Sequence, residues 1–352
     1  MECNLYEYYW FLCLLFLRTN LECNSIRKGA TMNGWTKKVL ITGGAGYIGT
    51  TLVPTLLAKG YEVTVVDNLM YRQTTLTTHC SNPNFKFIRG DVRDNDLIDP
   101  LLKEHDIIIP LACIVGMPAC KKDERAAVQV NEEAVKHIAD VVGSDKKIIF
   151  PTTNSGYGIG EMKDGELVHC NEETPLAPLS LYGTTKVNAE NYLKETAGAV
   201  CLRLATVFGI SERMRLDLLV NDFTYKACTD KYIVLFESSF KRNFIHVKDV
   251  VGAMIFAIDN YDEMKGESFN VGLSTANLSK MELCETIKEY IPNFSIQESE
   301  IDNDPDKRNY IVSNDKLESL GWKPTVTLQE GVKELIEAYQ IISYNNKLFT
   351  NQ

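Results

Sequence analysis

Histidine is scarce in this chain, with five copies in 352 residues, and none of the ten cysteines stands in a Cys-x-x-Cys pair. Without clustered soft ligands no metal site is expected, and the thiols read as reduced and buried. Basic excess is missing too: the formal net charge is −10. That argues against nucleic acid or an anionic membrane as a general partner. No Gly-Lys-Ser/Thr follows the glycine-rich stretch at 43–49, which excludes a P-loop. Apolar runs long enough to span a bilayer comfortably are also lacking. "YYWFLCLLFL" (8–17) has only the length of a signal-peptide core. Glu2 and Glu7 precede it, where a signal peptide carries Lys or Arg, and no convincing small-residue cleavage site follows. Residues 1–31 are therefore expected to lie outside the fold, ahead of Met32 and a cytoplasmic enzyme. A membrane anchor is the alternative.

What is present is ordinary for a globular enzyme: 45% hydrophobic and 24% charged residues. The length suits one large α/β domain, or two lobes sharing a core. "KKVLITGGAGYIGTTLVPTLLAKGYEVTVVDN" (37–68) reads as strand, helix, strand. Gly43, Gly46 and Gly49 lie between the first strand and the helix. They suit a tight turn, close approach of backbone to a pyrophosphate, and close helix–strand packing. A diphosphate would then sit on the helix N-terminus, beside Ala45, Tyr47 and Ile48. Asp67 ends the second strand 18 residues past Gly49, near the spacing of about 20 expected for an acid on the adenosine ribose. A carboxylate there repels a 2′-phosphate, so the expected cofactor is NAD, with Asn68 next to the same ribose.

Further strands are expected at 85–91, 106–112, 146–153 and 199–209, most of them separated by helical segments. Such alternation predicts a Rossmann-type, doubly wound parallel sheet. Ligands of these sheets collect at the carboxyl ends of the strands. Asp91, Val92, Leu111 and Ala112 fall at such ends and are expected along the cofactor groove.

"LSLYGTTKVNAENYL" (179–193) has helical spacing and puts Tyr182 and Lys186 on one face. A phenol with a pKa of about 10 is too weakly ionised to serve as a base at neutral pH. A neighbouring ammonium and the positive nicotinamide ring should pull that value down. Tyr182 could then take a proton from a sugar hydroxyl, with Thr153 orienting the same hydroxyl.

Taken together, "TGGAGYIG", Asp67, "TTNSGYG", "YGTTK", "LRLATVFG", "RNFIHVKDV" and "FNVG" resemble the extended short-chain dehydrogenases/reductases that act on nucleotide sugars. The resemblance runs from residue 37 to about 340. It implies that Tyr182 is the base, Lys186 holds the nicotinamide ribose and Thr153 orients the substrate, with Asn154, Ser155, Tyr157 and Asn131 bordering the site. It implies a nucleotide-sugar substrate held by Arg215, Asn221, Arg242 and Arg308, because an arginine fork suits a diphosphate. A homodimer is expected. The NAD-binding domain should cover 32–209, with 246–272 returning to it, and a smaller substrate lobe should be built from 210–245 and 273–345.

The loop after Thr153 narrows the chemistry. The 4,6-dehydratases of this family read Thr-Asp-Glu there, whereas this chain reads Thr153-Asn154-Ser155. Without a carboxylate, loss of water is disfavoured. The 3,5-epimerising relatives use a cysteine near this loop, and 151–160 holds none. Oxidation and reduction at carbon 4 remain. "IIIPLACIVGMPACKKD", "TNSGYGIGE", "RMRLDLLVNDFTYKA" and "DPDKRNYIVSN" further resemble the bacterial 4-dehydrogenases of GDP-D-glycero-α-D-manno-heptose in capsule heptose biosynthesis. A 4-epimerase would use the same residues. A non-catalytic NAD-binding regulator is the third reading. Oxidation leaves NADH behind, so a keto acid such as 2-oxoglutarate is expected to accept its hydride.

Overall fold

A computed structural model describes residues 31–32, 35–299 and 308–342. The expected 1–31 extension, apart from Thr31, lies outside the described residues.

The NAD-binding half begins with β1 (Lys38–Thr42), α1 (Gly49–Ala58), β2 (Glu62–Asp67), β3 (Phe85–Arg89) and α2 (Asn95–Glu104). It continues through β4 (Ile107–Pro110), α3 (Ala134–Val142), β5 (Lys147–Thr153), α4 (Leu181–Ala197) and β6 (Val200–Leu204). The chain then builds most of a second lobe: β7 (Thr206–Phe208), α5 (Leu219–Thr229), β8 (Tyr232–Leu235) and β9 (Lys241–His246). It returns through α6 (Val247–Asp259) and β10 (Ser268–Val271), then leaves again for β11 (Asn277–Ser279), α7 (Lys280–Lys288), β12 (Ser295–Glu298) and α8 (Leu328–Ile342).

The main sheet has seven parallel strands in the order β10-β6-β5-β4-β1-β2-β3. Side chains alternate between its faces. Leu40 packs with Ile98, Val135 and Leu193, whereas Val39 and Ile41 pack with Leu52, Leu56 and Val250 on the other side. Both faces are covered by helices, which is why β1 reads as a near-continuous apolar run. The order reverses between β1 and β4, and that reversal opens a crevice at the carboxyl edge.

One expected strand is in fact two. The run 199–209 breaks at Ala205. β6 pairs with β5 and β10, while β7 pairs with β9 in a separate three-stranded sheet, β7-β9-β11. The backbone of 206–208 changes partner from the main sheet to 244–246, four residues ahead of the expected lobe boundary at 210. α6 and β10 lie within 246–272, and β10 pairs with β6 at one edge of the main sheet.

Candidate active site

The glycine turn after β1 is built for close approach. Gly43 has φ 72°, and a Cβ there would lie 2.5 Å from the backbone N of Ala112. Only glycine tolerates both conditions. Gly43, Gly46, Tyr47, Ile48, Gly49, Asp67, Asn68, Asp91, Val92, Leu111 and Ala112 all line one cavity of about 820 Å³. Ala45 does not line it, but its N–H donates to Asp67 Oδ2 at 3.0 Å. Asp67 Oδ1 accepts the Leu69 N–H at 2.8 Å. Burial pushes the Asp67 carboxyl up, and these two backbone bonds oppose it. Asp91 is held far below the ordinary carboxylate range by hydrogen bonds from Arg93, whose Nε and Nη2 each approach it to 2.8 Å, and by Asn68. A cradle that a Cβ would fill and a buried acid at the far end of the crevice fit a dinucleotide without a 2′-phosphate.

The reacting end is assembled by α4 and β5. Ser180 caps α4, its Oγ accepting the Gly183 N–H at 3.1 Å, and Gly198 ends the helix in the left-handed conformation. Tyr182 and Lys186 therefore project from one face into the cavity, opposite Thr153 and Ser155. Lys186 is buried, with its ammonium 3.8 Å from the centre of the Phe150 ring. Burial lowers the Lys186 pKa, and Cys113, Cys201 and Glu190 oppose that shift.

Burial pushes the Tyr182 phenol well above its ordinary range, and Cys113 adds to the rise. The charges that pull it back are those of Arg215 and Arg308.

Five cations line the substrate side: Arg213, Arg215, Arg242, Lys280 and Arg308. Arg215 is clamped by Asp217, Nε to Oδ1 at 2.9 Å and Nη2 to Oδ2 at 2.5 Å. Arg242 donates to the Lys241 carbonyl at 2.9 Å, and its guanidinium lies 5.6 Å from the Tyr310 ring centre. Arg213 sits 5.1 Å from the ring centre of Tyr71. Asp217 and Asp222 line the same part of the cavity, so the cations outnumber the carboxylates there five to two, and an excess of one sign concentrates ligands of the other, here anions.

Several expected site residues lie elsewhere. Asn154 is 1% exposed, does not line the cavity, and neither atom of its amide has a hydrogen-bond partner among the described residues. The 3-10 turn of 154–157 sends it behind the loop, while Thr153 and Ser155 face forward. Tyr157 is buried too. Its hydroxyl donates to Asn270 Oδ1 at 2.8 Å and accepts from Arg203 Nη1 at 3.1 Å. Asn221 accepts the Gly209 N–H at 3.0 Å and donates to the Arg215 carbonyl at 2.9 Å, so it holds the arginine loop rather than a ligand. Asn131 grips the Ile114 backbone from both sides, at 2.8 and 3.0 Å.

The cavity also contains Tyr71, Cys113, Arg213 and Lys280, which the sequence did not single out. Cys113 directly follows Ala112 at a strand end, a usable signal. The other three arrive through long-range folding. The seven described cysteines are all free thiols, and Cys80 is exposed rather than buried.

Comparison with known proteins agrees with this geometry. A model of the NAD dependent epimerase/dehydratase family matches residues 39–272. The chain is 27% identical over 309 residues to the low-salt glycan biosynthesis protein Agl12 of Haloferax volcanii, covering 86% of this chain and 98% of that one. It is 29% identical over 322 residues to UDP-glucuronic acid decarboxylase 1 of Arabidopsis thaliana, covering 86% and 70%. The solved structure of the UDP-glucose 4-epimerase of Thermus thermophilus, a complex with NAD, aligns with a TM-score of 0.71 at 25% identity, over 86% of this chain and 99% of that one. With its glycine turn, buried Asp67 and Tyr182/Lys186 helix face around one cavity, this chain belongs to the NAD-dependent epimerase/dehydratase family, and NAD is its cofactor.

Proposed function

We propose that the protein oxidises a nucleotide sugar at carbon 4 to a 4-keto sugar nucleotide. The observation that carries this reading is the loop 153–155. Thr153 and Ser155 offer neutral hydroxyls to the cavity, and Asn154 is turned away. A base for removing a hydroxyl proton is at hand in Tyr182, but this loop supplies no carboxylate to expel water or carbon dioxide.

NAD, when bound, supplies the hydride acceptor. Tyr182 takes the proton of the carbon 4 hydroxyl. Arg215 and Arg308 favour its ionised form electrostatically. Lys186 is placed to hold the nicotinamide ribose, and Thr153 orients the reacting hydroxyl. Arg213, Arg215, Arg242 and Lys280 would hold the substrate diphosphate, with Arg215 oriented by the Asp217 clamp. GDP-D-glycero-α-D-manno-heptose is the substrate of first choice, from the motifs shared with capsule heptose 4-dehydrogenases. A cytoplasmic homodimer fits this role, since seven free thiols suit a reducing compartment. 2-Oxoglutarate is the proposed acceptor that regenerates NAD.

A 4-epimerase is the second reading, favoured by the likeness to the Thermus thermophilus epimerase. The same Tyr182 would serve it. The test is incubation of the NAD-loaded enzyme with GDP-heptose, GDP-mannose, UDP-glucose, UDP-glucuronate and dTDP-glucose, counting NADH. One equivalent of NADH per site, with keto sugar rising past one equivalent when 2-oxoglutarate is added to reoxidise that NADH, supports the dehydrogenase. Conversion without net NADH supports the epimerase.

A further inference from the structure

A hydrogen-bonded chain runs from Arg308 into the reacting end of the cavity. Arg308 Nη1 donates to Ser155 Oγ at 2.7 Å. Ser155 Oγ lies 2.6 Å from Thr153 Oγ1, and the Ser155 N–H donates to that same Oγ1 at 3.1 Å. All three residues line the cavity with Tyr182.

The Arg308 charge sets the direction of this chain. A guanidinium only donates, while a hydroxyl has one proton and two lone pairs. Arg308 occupies one lone pair of Ser155 Oγ. Its charge makes that oxygen a poorer acceptor and its proton a better donor. The Ser155 hydroxyl then donates to Thr153 Oγ1. That oxygen already accepts the Ser155 N–H, so both of its lone pairs are filled. The proton of Thr153 is left pointing at the cavity.

We propose that Arg308 is a positioning residue that acts through Ser155 to make Thr153 a hydrogen-bond donor to the substrate oxygen at the carbon being oxidised. The proposal rests on the carbon 4 oxidation reading. In that reaction the carbon–hydrogen bond breaks and its electron pair leaves with the hydrogen to bound NAD. The hydroxyl proton passes to Tyr182, and the remaining oxygen becomes a carbonyl. Negative charge develops on this oxygen, and a donor fixed in place stabilises it with no reorganisation. Family resemblance assigns Arg308 to the diphosphate. The chain of bonds gives it a duty at the sugar end.

A double-mutant cycle on the NAD-loaded enzyme tests the relay. The readout is the single-turnover rate of NADH formation with the five nucleotide sugars named above. Ser155→Ala should lower kcat by about tenfold to a hundredfold, the usual cost of an outer orienting partner, with KM little changed. Ser155→Thr, which keeps the hydroxyl, should restore most of the rate. Arg308→Gln should lower kcat similarly. The double variant should be no slower than the slower single variant, because both act along one chain. Melting temperature and NAD titration check that each variant is folded. If Arg308→Gln does not fold, Arg308→Lys in both backgrounds closes the same cycle, with a coupled loss expected again. Additive losses in kcat, a loss confined to KM, or a wild-type rate in Ser155→Ala would overturn the relay and leave carbon 4 oxidation standing. No NADH from the unsubstituted enzyme with any of the five sugars would overturn both.

Discussion

The carboxylate of Asp67 accepts the backbone N–H of Ala45 at 3.0 Å, tying the end of β2 to the glycine turn after β1. Its other oxygen is held by Leu69 and faces the same cavity. A 2′-phosphate at this edge would meet a carboxylate fixed by two backbone donors. NAD should therefore bind more tightly than NADP by at least about tenfold, a difference of ~1.4 kcal/mol. Asp67→Ala should narrow that difference. Isothermal titration with both dinucleotides checks it, and equal affinities for the unsubstituted protein would contradict it.

Tyr182→Phe keeps the ring and removes the proton acceptor. Loss of a general base typically costs a factor of about 10²–10⁴, and a kcat loss of that size is expected. NAD binding should survive, since the glycine turn and Asp67 are untouched. A variant that turns over at the unsubstituted rate would show that the proton leaves by another route.

Arg203 and Glu190 form a buried pair, with Arg203 Nη2 to Glu190 Oε1 at 2.7 Å and side chains 5% and 1% exposed. Ser268 Oγ donates to the same Oε1 at 2.7 Å, and Arg203 also reaches Tyr157. Glu190 lies one turn beyond Lys186 on α4, so the pair fixes the helix that presents Tyr182 and Lys186 to the cavity. Arg203→Met leaves a buried carboxylate unpaired and should cost about 3–5 kcal/mol of stability. Urea unfolding measures this, and a loss below ~1 kcal/mol would show that the pair is not needed.

Glu334 on α8 lies 3.2 Å from His246 Nε2 and 3.0 Å from Lys248 Nζ. Its pKa falls from 4.5 to about 2, mainly through the His246 imidazole beside it and then through Lys248. A carboxyl depressed on folding contributes stability that is complete above its unfolded pKa and lost as pH falls toward the folded one. Melting temperature should thus drop between about pH 5 and pH 2. Glu334→Gln should flatten part of that slope. A variant with the same slope as the parent would assign the acid sensitivity to other groups.

Much of the cofactor end was legible in the sequence because its signals are local. Gly43, Gly46, Gly49 and Asp67 lie on one βαβ unit, where spacing alone fixes their neighbours. Tyr182 and Lys186 were legible for the same reason, four residues apart on a capped helix. Asn154 and Tyr157 were misplaced because a 3-10 turn after β5 decides which side chains face the cavity, and residue type does not reveal that. Asn221 was misplaced because an amide can serve backbone or ligand equally well. Tyr71, Arg213 and Lys280 reach the cavity only through contacts between distant segments. The break at Ala205 was hidden because both halves of 199–209 are equally apolar.

In the proposed reaction the chemistry stops at a ketone because the 153–155 loop presents hydroxyls and no carboxylate to the cavity. Mass spectrometry of the sugar nucleotide after one turnover tests this most directly, with GDP-D-glycero-α-D-manno-heptose as the first substrate. The product should be lighter by two hydrogens and keep its carbon 6 oxygen, appearing together with NADH. A product lighter by one water would contradict it.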